Sequence, residues 1–222
     1  MLDRYKTIIF DCDGVILNSN KIKTDAFYKV CLPFGKDFAS QMIDFHRRNG
    51  GVSRNEKFRY FKDNILPKNN VANIDSLLSI YAGFVEQDLL NCEISDSLSS
   101  LRMKYQSSRW LVISGGNQAE LRKLFTTLKI NSYFNGGIFG SPEDKETLLF
   151  REIKNNNIEY PAVFLGDSFY DHRVAQLCEV DFIFINGWTE ARSWKSYVGK
   201  YKIKTLKSLG NLCSDIYIRE GK

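Results

Sequence analysis

Four short, almost wholly apolar runs punctuate the chain: Thr7 to Phe10, Trp110 to Ile113, Ala162 to Leu165 and Phe182 to Ile185. Runs of this length without polar alternation suit strands buried on both faces of a parallel sheet. Around the later runs, apolar residues return at helical spacing: Leu98, Leu101 and Tyr105, then Leu121, Leu124, Phe125 and Leu128, then Leu148, Leu149 and Ile153. Strand and helix in alternation predict the α/β class with a doubly wound parallel sheet.

The alternation breaks after the first run. From Asn20 to Asn91 the pattern is helical, with no strand signal. Ser53-Arg54-Asn55-Glu56 has the spacing of a capping box before a helix carrying Phe58, Phe61 and Ile65. A second start at Asn73 precedes Ile74, Leu77, Leu78, Tyr81, Phe84 and Val85, an apolar face long enough for a bundle helix. Pro33, Gly35 and Gly50-Gly51 punctuate these helices, and Pro67 to Asn70 reads as a loop. The expected organisation is a helical cap over residues 19–92 inserted into a core of residues 1–18 and 93–222. Internal repeats and low-complexity tracts are absent from the sequence.

Composition narrows the function classes. A chain of 222 residues with 43% hydrophobic content suits one main domain with a modest insertion, and argues against a disordered or membrane protein. No apolar run approaches the roughly 20 residues needed to cross a bilayer, and Lys6 to Phe10 follow the N-terminus without a small-residue cleavage site, so a cytoplasmic protein is expected. Cys12, Cys31, Cys92, Cys178 and Cys213 are odd in number and irregularly spaced, which suggests reduced, mostly buried thiols. The net charge of +5 is spread along the chain, with a modest concentration from Lys195 to Lys207 and no nucleic-acid reader motif. The expected partner is therefore a small anionic metabolite, without nucleic acid or membrane, bound by a monomer or weak homodimer.

Candidate chemistry gathers where the apolar runs end. Asp11 and Asp13 follow the first run two residues apart, on one face of an extended strand, and Gly14 then bends the chain. Two carboxylates so close repel unless a cation joins them, and Mg²⁺ favours carboxylate oxygens together with a substrate phosphate. A turn-forming aspartate pair is the plainer alternative. Asp167 and Asp171 follow the run Ala162 to Leu165, and ligands of open α/β sheets bind at such carboxyl ends. Helix capping would also account for both residues. Ser114-Gly115-Gly116 offers a hydroxyl and approachable N–H groups ahead of a helix, which suits a phosphoryl oxygen. Lys145 lies near a helix start, against the dipole preference, where it would neutralise phosphate and carboxylate charge or simply be exposed.

The order and spacing of these four motifs, from residue 8 to residue 171, resemble the haloacid dehalogenase superfamily of phosphotransferases. The resemblance implies a Rossmann-like core and a Mg²⁺ cofactor. It implies that Asp11 attacks phosphorus to form an aspartyl-phosphate and that Asp13 protonates the leaving oxygen, then activates water. Ser114 and Lys145 would hold the phosphoryl group. Asp167 would ligate Mg²⁺ with Asp11 and the backbone carbonyl of Asp13, while Asp171 would support the metal or Lys145. For the acid role Asp13 is expected to have a raised pKa, because an aspartate near about 3.9 is ionised at neutral pH.

The inserted cap resembles the α-helical cap class of β-phosphoglucomutase and phosphoglycolate phosphatase. Gly51-Val52-Ser53-Arg54 resembles the cap loop of the former, so Arg54 is expected to face the leaving group, with Gly115 beside it in substrate binding; Arg47 and Arg48 are weaker candidates. Asn18-Ser19 departs from the Asp-Ser of many relatives at the cap hinge. Cys12 is expected to point into the core, His46 and His172 to be structural or surface residues, and Trp110, Trp188 and Trp194 to serve core or interdomain packing. Three functions remain open: a Mg²⁺-dependent phosphatase of a small phosphorylated metabolite, sugar phosphates included; a sugar phosphomutase; and a catalytically silent sugar-phosphate-binding or regulatory domain.

Overall fold

The computed structural model describes residues 1–213. Its centre is a six-stranded sheet in the order β3-β2-β1-β4-β5-β6, with every pairing parallel. The strands are β1 (Thr7–Phe10), β2 (Arg109–Asn117), β3 (Gly137–Ser141), β4 (Ala162–Gly166), β5 (Asp181–Ile185) and β6 (Lys204–Leu206). The four apolar runs form β1, β2, β4 and β5. The apolar pattern does not announce β3, whose five residues include two glycines, or β6, a partly exposed Lys-Thr-Leu at the sheet edge.

Alternation along β1 builds a layer on each face of the sheet. Ile8 and Phe10 join Trp110, Val112 and Leu165 against Leu98 and Leu101 of α5 (Leu98–Lys104) and Leu121 and Phe125 of α6 (Gln118–Thr127). Ile9 joins Leu111, Ile113 and Phe164 against Leu148 and Leu149 of α7 (Lys145–Lys154) and Val174 and Ala175 of α8 (Phe169–Leu177). Cys12 is fully buried on the first of these sides, as expected, and all five cysteines are free. A last helix, α9 (Trp194–Tyr201), precedes β6, and its Trp194 stacks on Phe184. No helix among the described residues is long and apolar enough to cross a membrane.

Between β1 and α5 the chain forms only helices: α1 (Asn20–Cys31), α2 (Lys36–Arg48), α3 (Arg54–Tyr60) and α4 (Ile74–Leu90). These have a hydrophobic cluster of their own, with Phe27, Met42, Phe58, Phe61, Leu77 and Tyr81 at its centre. The Phe27 ring lies 5.1 Å from Phe58 and 4.6 Å from both Tyr81 and His46. Asn73 caps α4 by accepting from the Ser76 N–H at 2.9 Å. Ser53 likewise accepts from the Glu56 N–H, but exposed Glu56 makes no return bond, so the predicted capping box is half formed. The helix with Phe58, Phe61 and Ile65 also widens into a π-type turn from Phe61 to Ile65.

The two connections to this helical unit are tied together. The Asn18 N–H donates to the Glu93 carbonyl at 2.9 Å and its side-chain amide donates to the Glu93 carboxylate at 3.0 Å. The residues 214–222 of the expected core lie outside the described residues. Phe58 is fully buried at the centre of the helical unit, and large-to-small changes at such sites cost about 3–5 kcal/mol. Phe58→Ala is expected to lower the unfolding free energy by about that much in urea titrations; a change below about 1 kcal/mol would contradict the packing role.

Candidate active site

The sheet order reverses direction between β1 and β4, because the chain proceeds outward from β1 to β3 and then from β4 to β6. Such a switch point opens a crevice at the carboxyl ends of the two strands. The register pairs Phe10 with Val112 on one side and Leu165 on the other. Asp11, Ser114 and Asp167 therefore emerge one or two residues beyond a common level.

Lys145 joins these strand ends. It is the first residue of α7, its side chain is fully buried, and its ammonium lies 2.8 Å from Asp11 Oδ1 and 2.6 Å from Asp171 Oδ1. Burial disfavours this charge, but the two carboxylates outweigh it and raise the pKa of Lys145. Removing one partner from a buried pair typically costs about 3–5 kcal/mol. The Lys145 placement that defies the helix dipole is thus explained by two carboxylates beside it. Asp171 also closes the capping box of α8, with its Oδ2 accepting from the Ser168 N–H and hydroxyl. Both carboxylate oxygens are engaged, so Asp171 serves Lys145, the second alternative implied by the resemblance, as well as the helix cap.

Asp11 Oδ1 also accepts from the Cys12 N–H at 2.7 Å. Asp167 Oδ2 accepts from Asn20 Nδ2 at 2.7 Å, and the Asp167 carbonyl accepts from the Thr189 hydroxyl. Gly14 makes this approach possible, since it has φ +76° and a Cβ there would collide with Asp167 Oδ2 and Asn20 Nδ2. Burial, reinforced by Asp171 and Asp13, lifts the Asp11 carboxyl to about 7 despite the opposing pull of Lys145. Burial and the Asp11 charge lift Asp167 well above the ordinary range.

These groups fit a hard cation. Carboxylate oxygens of Asp11, Asp167 and Asp171 lie within 4.8 Å of one another, and one ammonium faces three buried acids. Asp11 Oδ2 and Asp167 Oδ1 have no donor among the described residues. A divalent ion would supply the two missing charges and accept such oxygens.

Asp13 departs from expectation. Its Oδ2 accepts from Lys23 at 2.6 Å and its Oδ1 from the Ser19 hydroxyl at 2.6 Å. Burial pushes the carboxyl upward, but the Lys23 charge and these hydrogen bonds outweigh it and lower the pKa. The expected rise is therefore reversed by a lysine of α1. With its side chain turned to Lys23, Asp13 leaves its backbone carbonyl for a cation.

Ser114 is fully buried within β2, three residues before its end, and its hydroxyl accepts from the Gly116 N–H at 3.1 Å. The strand continues to Asn117, which caps α6, so the helix begins slightly later than the glycine pair suggests. A Cβ at Gly115 would collide with the Gly51 carbonyl, and one at Gly51 would press on Ser168 Oγ at 3.0 Å. The Gly50-Gly51 loop therefore lies directly over the strand ends. Beneath it is a cavity of about 610 Å³ lined by Asp11, Asp13, Asp167, Gly115, Arg54 and Lys57 among others. Arg54 is not free to face a leaving group, because its guanidinium forms a bidentate pair with Glu120 at 2.5 and 2.9 Å. Arg47 lies 3.8 Å from Glu190, and Arg48 bonds the Asp44 carbonyl of its own helix.

His172 bonds the Tyr197 hydroxyl and packs on Phe182, and buried Trp110 packs between Phe10 and Phe134, in keeping with structural roles. Trp188 offers its carbonyl to Asn20. Sequence reasoning missed Asn20, Lys23 and Lys57. Nothing in Asn20-Lys21-Ile22-Lys23 distinguishes the inward Lys23 from the exposed Lys21. For Lys57 a signal exists: it precedes Phe61 by four residues, one helical turn, and so shares that buried face.

The raised carboxyls make the metal-free fold sensitive to alkali. Their folded pKa values exceed the unfolded value of 3.8, so the stability they contribute is complete below that value and is lost as pH rises through about 7 and beyond. The melting temperature of the metal-free protein is expected to fall from about pH 4 to pH 8 more steeply than that of Asp11→Asn, and a divalent cation is expected to offset the fall. Equal slopes in the two proteins would contradict this charge balance.

The same fold is found in known proteins. A haloacid dehalogenase-like hydrolase of Bacteroides fragilis superposes with a TM-score of 0.72 at 20% identity, covering 94% of this chain and 99% of its own. A Lactobacillus plantarum protein assigned as a phosphoglycolate phosphatase gives 0.72 at 18% identity, covering 94% and 97%. CbbY of Rhodobacter sphaeroides, in complex with phosphate, gives 0.67 at 16% identity, covering 94% and 96%. At these identities the likeness establishes the fold. No curated protein matches the sequence. The sequence model of haloacid dehalogenase-like hydrolases matches residues 8–185, which include all four strand-end motifs, and the chain belongs to that family.

Proposed function

We propose that this protein is a Mg²⁺-dependent phosphatase that hydrolyses a small phosphorylated metabolite through an aspartyl-phosphate. The observation that carries the reading is Lys145 held between Asp11 and Asp171, with Asp167 beside them and Asp11 Oδ2 left without a donor. A nucleophile needs such an uncommitted oxygen, and a phosphoryl group needs cationic surroundings. The family, the phosphatase assignment of the Lactobacillus protein and the phosphate held by CbbY point the same way.

In this reading Asp11 Oδ2 forms a bond to phosphorus as the ester oxygen departs with a proton from Asp13. Asp13 then takes a proton from water, whose oxygen attacks phosphorus and releases inorganic phosphate and the Asp11 carboxylate. Lys145 and Ser114 steady the phosphoryl oxygens, while Gly115 admits the substrate beneath the Gly51 loop. Asp11, Asp167 and the Asp13 carbonyl would hold Mg²⁺, which would neutralise phosphoryl charge, while Asp171 holds Lys145 in place. Protonation of Asp13 requires it to part from Lys23, so its acid–base duty is coupled to the position of α1.

A sugar phosphate remains within the proposed substrate class. A mutase would use the same residues but return the phosphoryl group to another hydroxyl, and a silent binding domain would keep the fold without turnover. The five free thiols support a reducing, cytoplasmic setting, and we place the protein there as a monomer or weak homodimer acting without nucleic acid or membrane.

Mg²⁺-dependent phosphate release from p-nitrophenyl phosphate is expected, with a loss of at least about 10³-fold in Asp11→Asn. Interconversion of sugar phosphate isomers without phosphate release would indicate the mutase. An absence of turnover across a broad panel of phosphate esters would indicate the silent domain.

A further inference from the structure

Two lysines are buried among the described residues, Lys145 and Lys57. Lys145 is matched by two carboxylates. Lys57, on α3, is only 3% exposed and has no carboxylate within 4.0 Å among the described residues. Its ammonium contacts His46 Nδ1 at 2.9 Å and lies 5.6 Å from the centre of the Phe27 ring. A buried ammonium without an acidic partner is unfavourable, and such groups are ordinarily paired or functional. Burial, with help from the nearby Lys23 charge, lowers Lys57 to about 7, as expected of a cation that lacks its counter-ion.

Lys57 and His46 both line the cavity that contains Asp11 and Asp167, and the charges of Asp11, Asp13 and Lys145 act on Lys57. Neighbouring cations are already matched: Lys23 by Asp13, Arg54 by Glu120 and Arg47 by Glu190. His46 is held neutral by burial and by the Lys57 charge. Accepting at Nδ1 from the ammonium leaves its Nε2 to carry the ring proton. Arg48 and Arg173, which also line the cavity, are exposed to solvent, so Lys57 is the one buried positive charge of the lining without an acidic partner among the described residues.

We propose that Lys57, positioned by His46, receives a second acidic group of the substrate, and that this group is a carboxylate, so that the preferred substrate is a phosphate ester of a hydroxy acid. One unmatched positive charge balances a carboxylate, whereas a second phosphate would bring up to two negative charges to a single ammonium. The inference rests on the phosphatase reading above and names the substrate class of that site. Arg54, the cap residue singled out by sequence, is already committed to Glu120. Selectivity therefore falls to Lys57.

The test compares kcat/KM with Mg²⁺ for 2-phosphoglycolate and 3-phosphoglycerate against glucose 6-phosphate and fructose 1,6-bisphosphate, in the full chain and in Lys57→Met and Lys57→Arg. The carboxylate esters are expected to exceed both sugar phosphates by at least about tenfold in the native protein. That ratio is expected to fall at least about tenfold in Lys57→Met, mainly through KM, and to recover in part in Lys57→Arg. No preference for the carboxylate esters, a preference for the bisphosphate, or a ratio that survives Lys57→Met would overturn the proposal. If no ester is turned over, the phosphatase reading fails instead, and calorimetric titration with 2-phosphoglycolate decides the subsite. Binding weakened at least about tenfold in Lys57→Met, in a variant whose melting shows it folded, upholds it, and equal binding in the two proteins or none in the native protein overturns it.

Discussion

Lys145 and the acids around it set the terms for the rest of this structure. Three carboxylates, Asp11 and Asp167 at the ends of two adjacent strands and Asp171 in the first turn of α8, are buried where water cannot screen them. A single ammonium between Asp11 and Asp171 makes that packing tolerable without making it neutral. The fold is arranged to deliver the ammonium: α7 must begin where β3 ends, and Lys145 must occupy the first position of that helix although the dipole opposes it. The residual negative charge is what a hard cation would neutralise. Structural necessity and chemical competence have one source here, the deliberate shortage of positive charge at the strand ends.

The helical unit completes this arrangement from above. Asn20 and Lys23 reach from α1 to Asp167 and Asp13, and the Gly51 loop presses on Gly115 and Ser168. Displacement of α1 or of this loop would therefore alter which groups face Asp11 and Asp13. The depressed pKa of Asp13 is a property of the seated unit, since its cause is a lysine that the core does not contain. The Asn18–Glu93 hydrogen bonds hold the two connecting strands of chain side by side, so that Asn18 at the hinge has a definite partner. The unit has a separate aromatic cluster of its own around Phe27, Phe58 and Tyr81.

The sequence by itself determined the α/β class and the four central strands, because strands buried on both faces must be apolar throughout and leave an unmistakable run. It also determined which acidic residues stand at strand ends, as Asp11 and Asp167 follow such runs directly. It missed β3 and β6, whose edge positions do not demand apolar residues. Tertiary structure alone decided how the charges pair. Lys23 and Lys21 sit in the same polar stretch of one helix, yet one reaches buried Asp13 across the fold and the other pairs at the surface with Asp25 of its own helix. Arg54 meets Glu120 from a different helix, 66 residues away. Lys57 is left without an acidic neighbour only because α3 packs its inner face against Phe27 and His46. Hydrophobic pattern is a local property with a fixed period, whereas the energy of a charge depends on which distant residues surround it after folding, and no spacing along the chain encodes that.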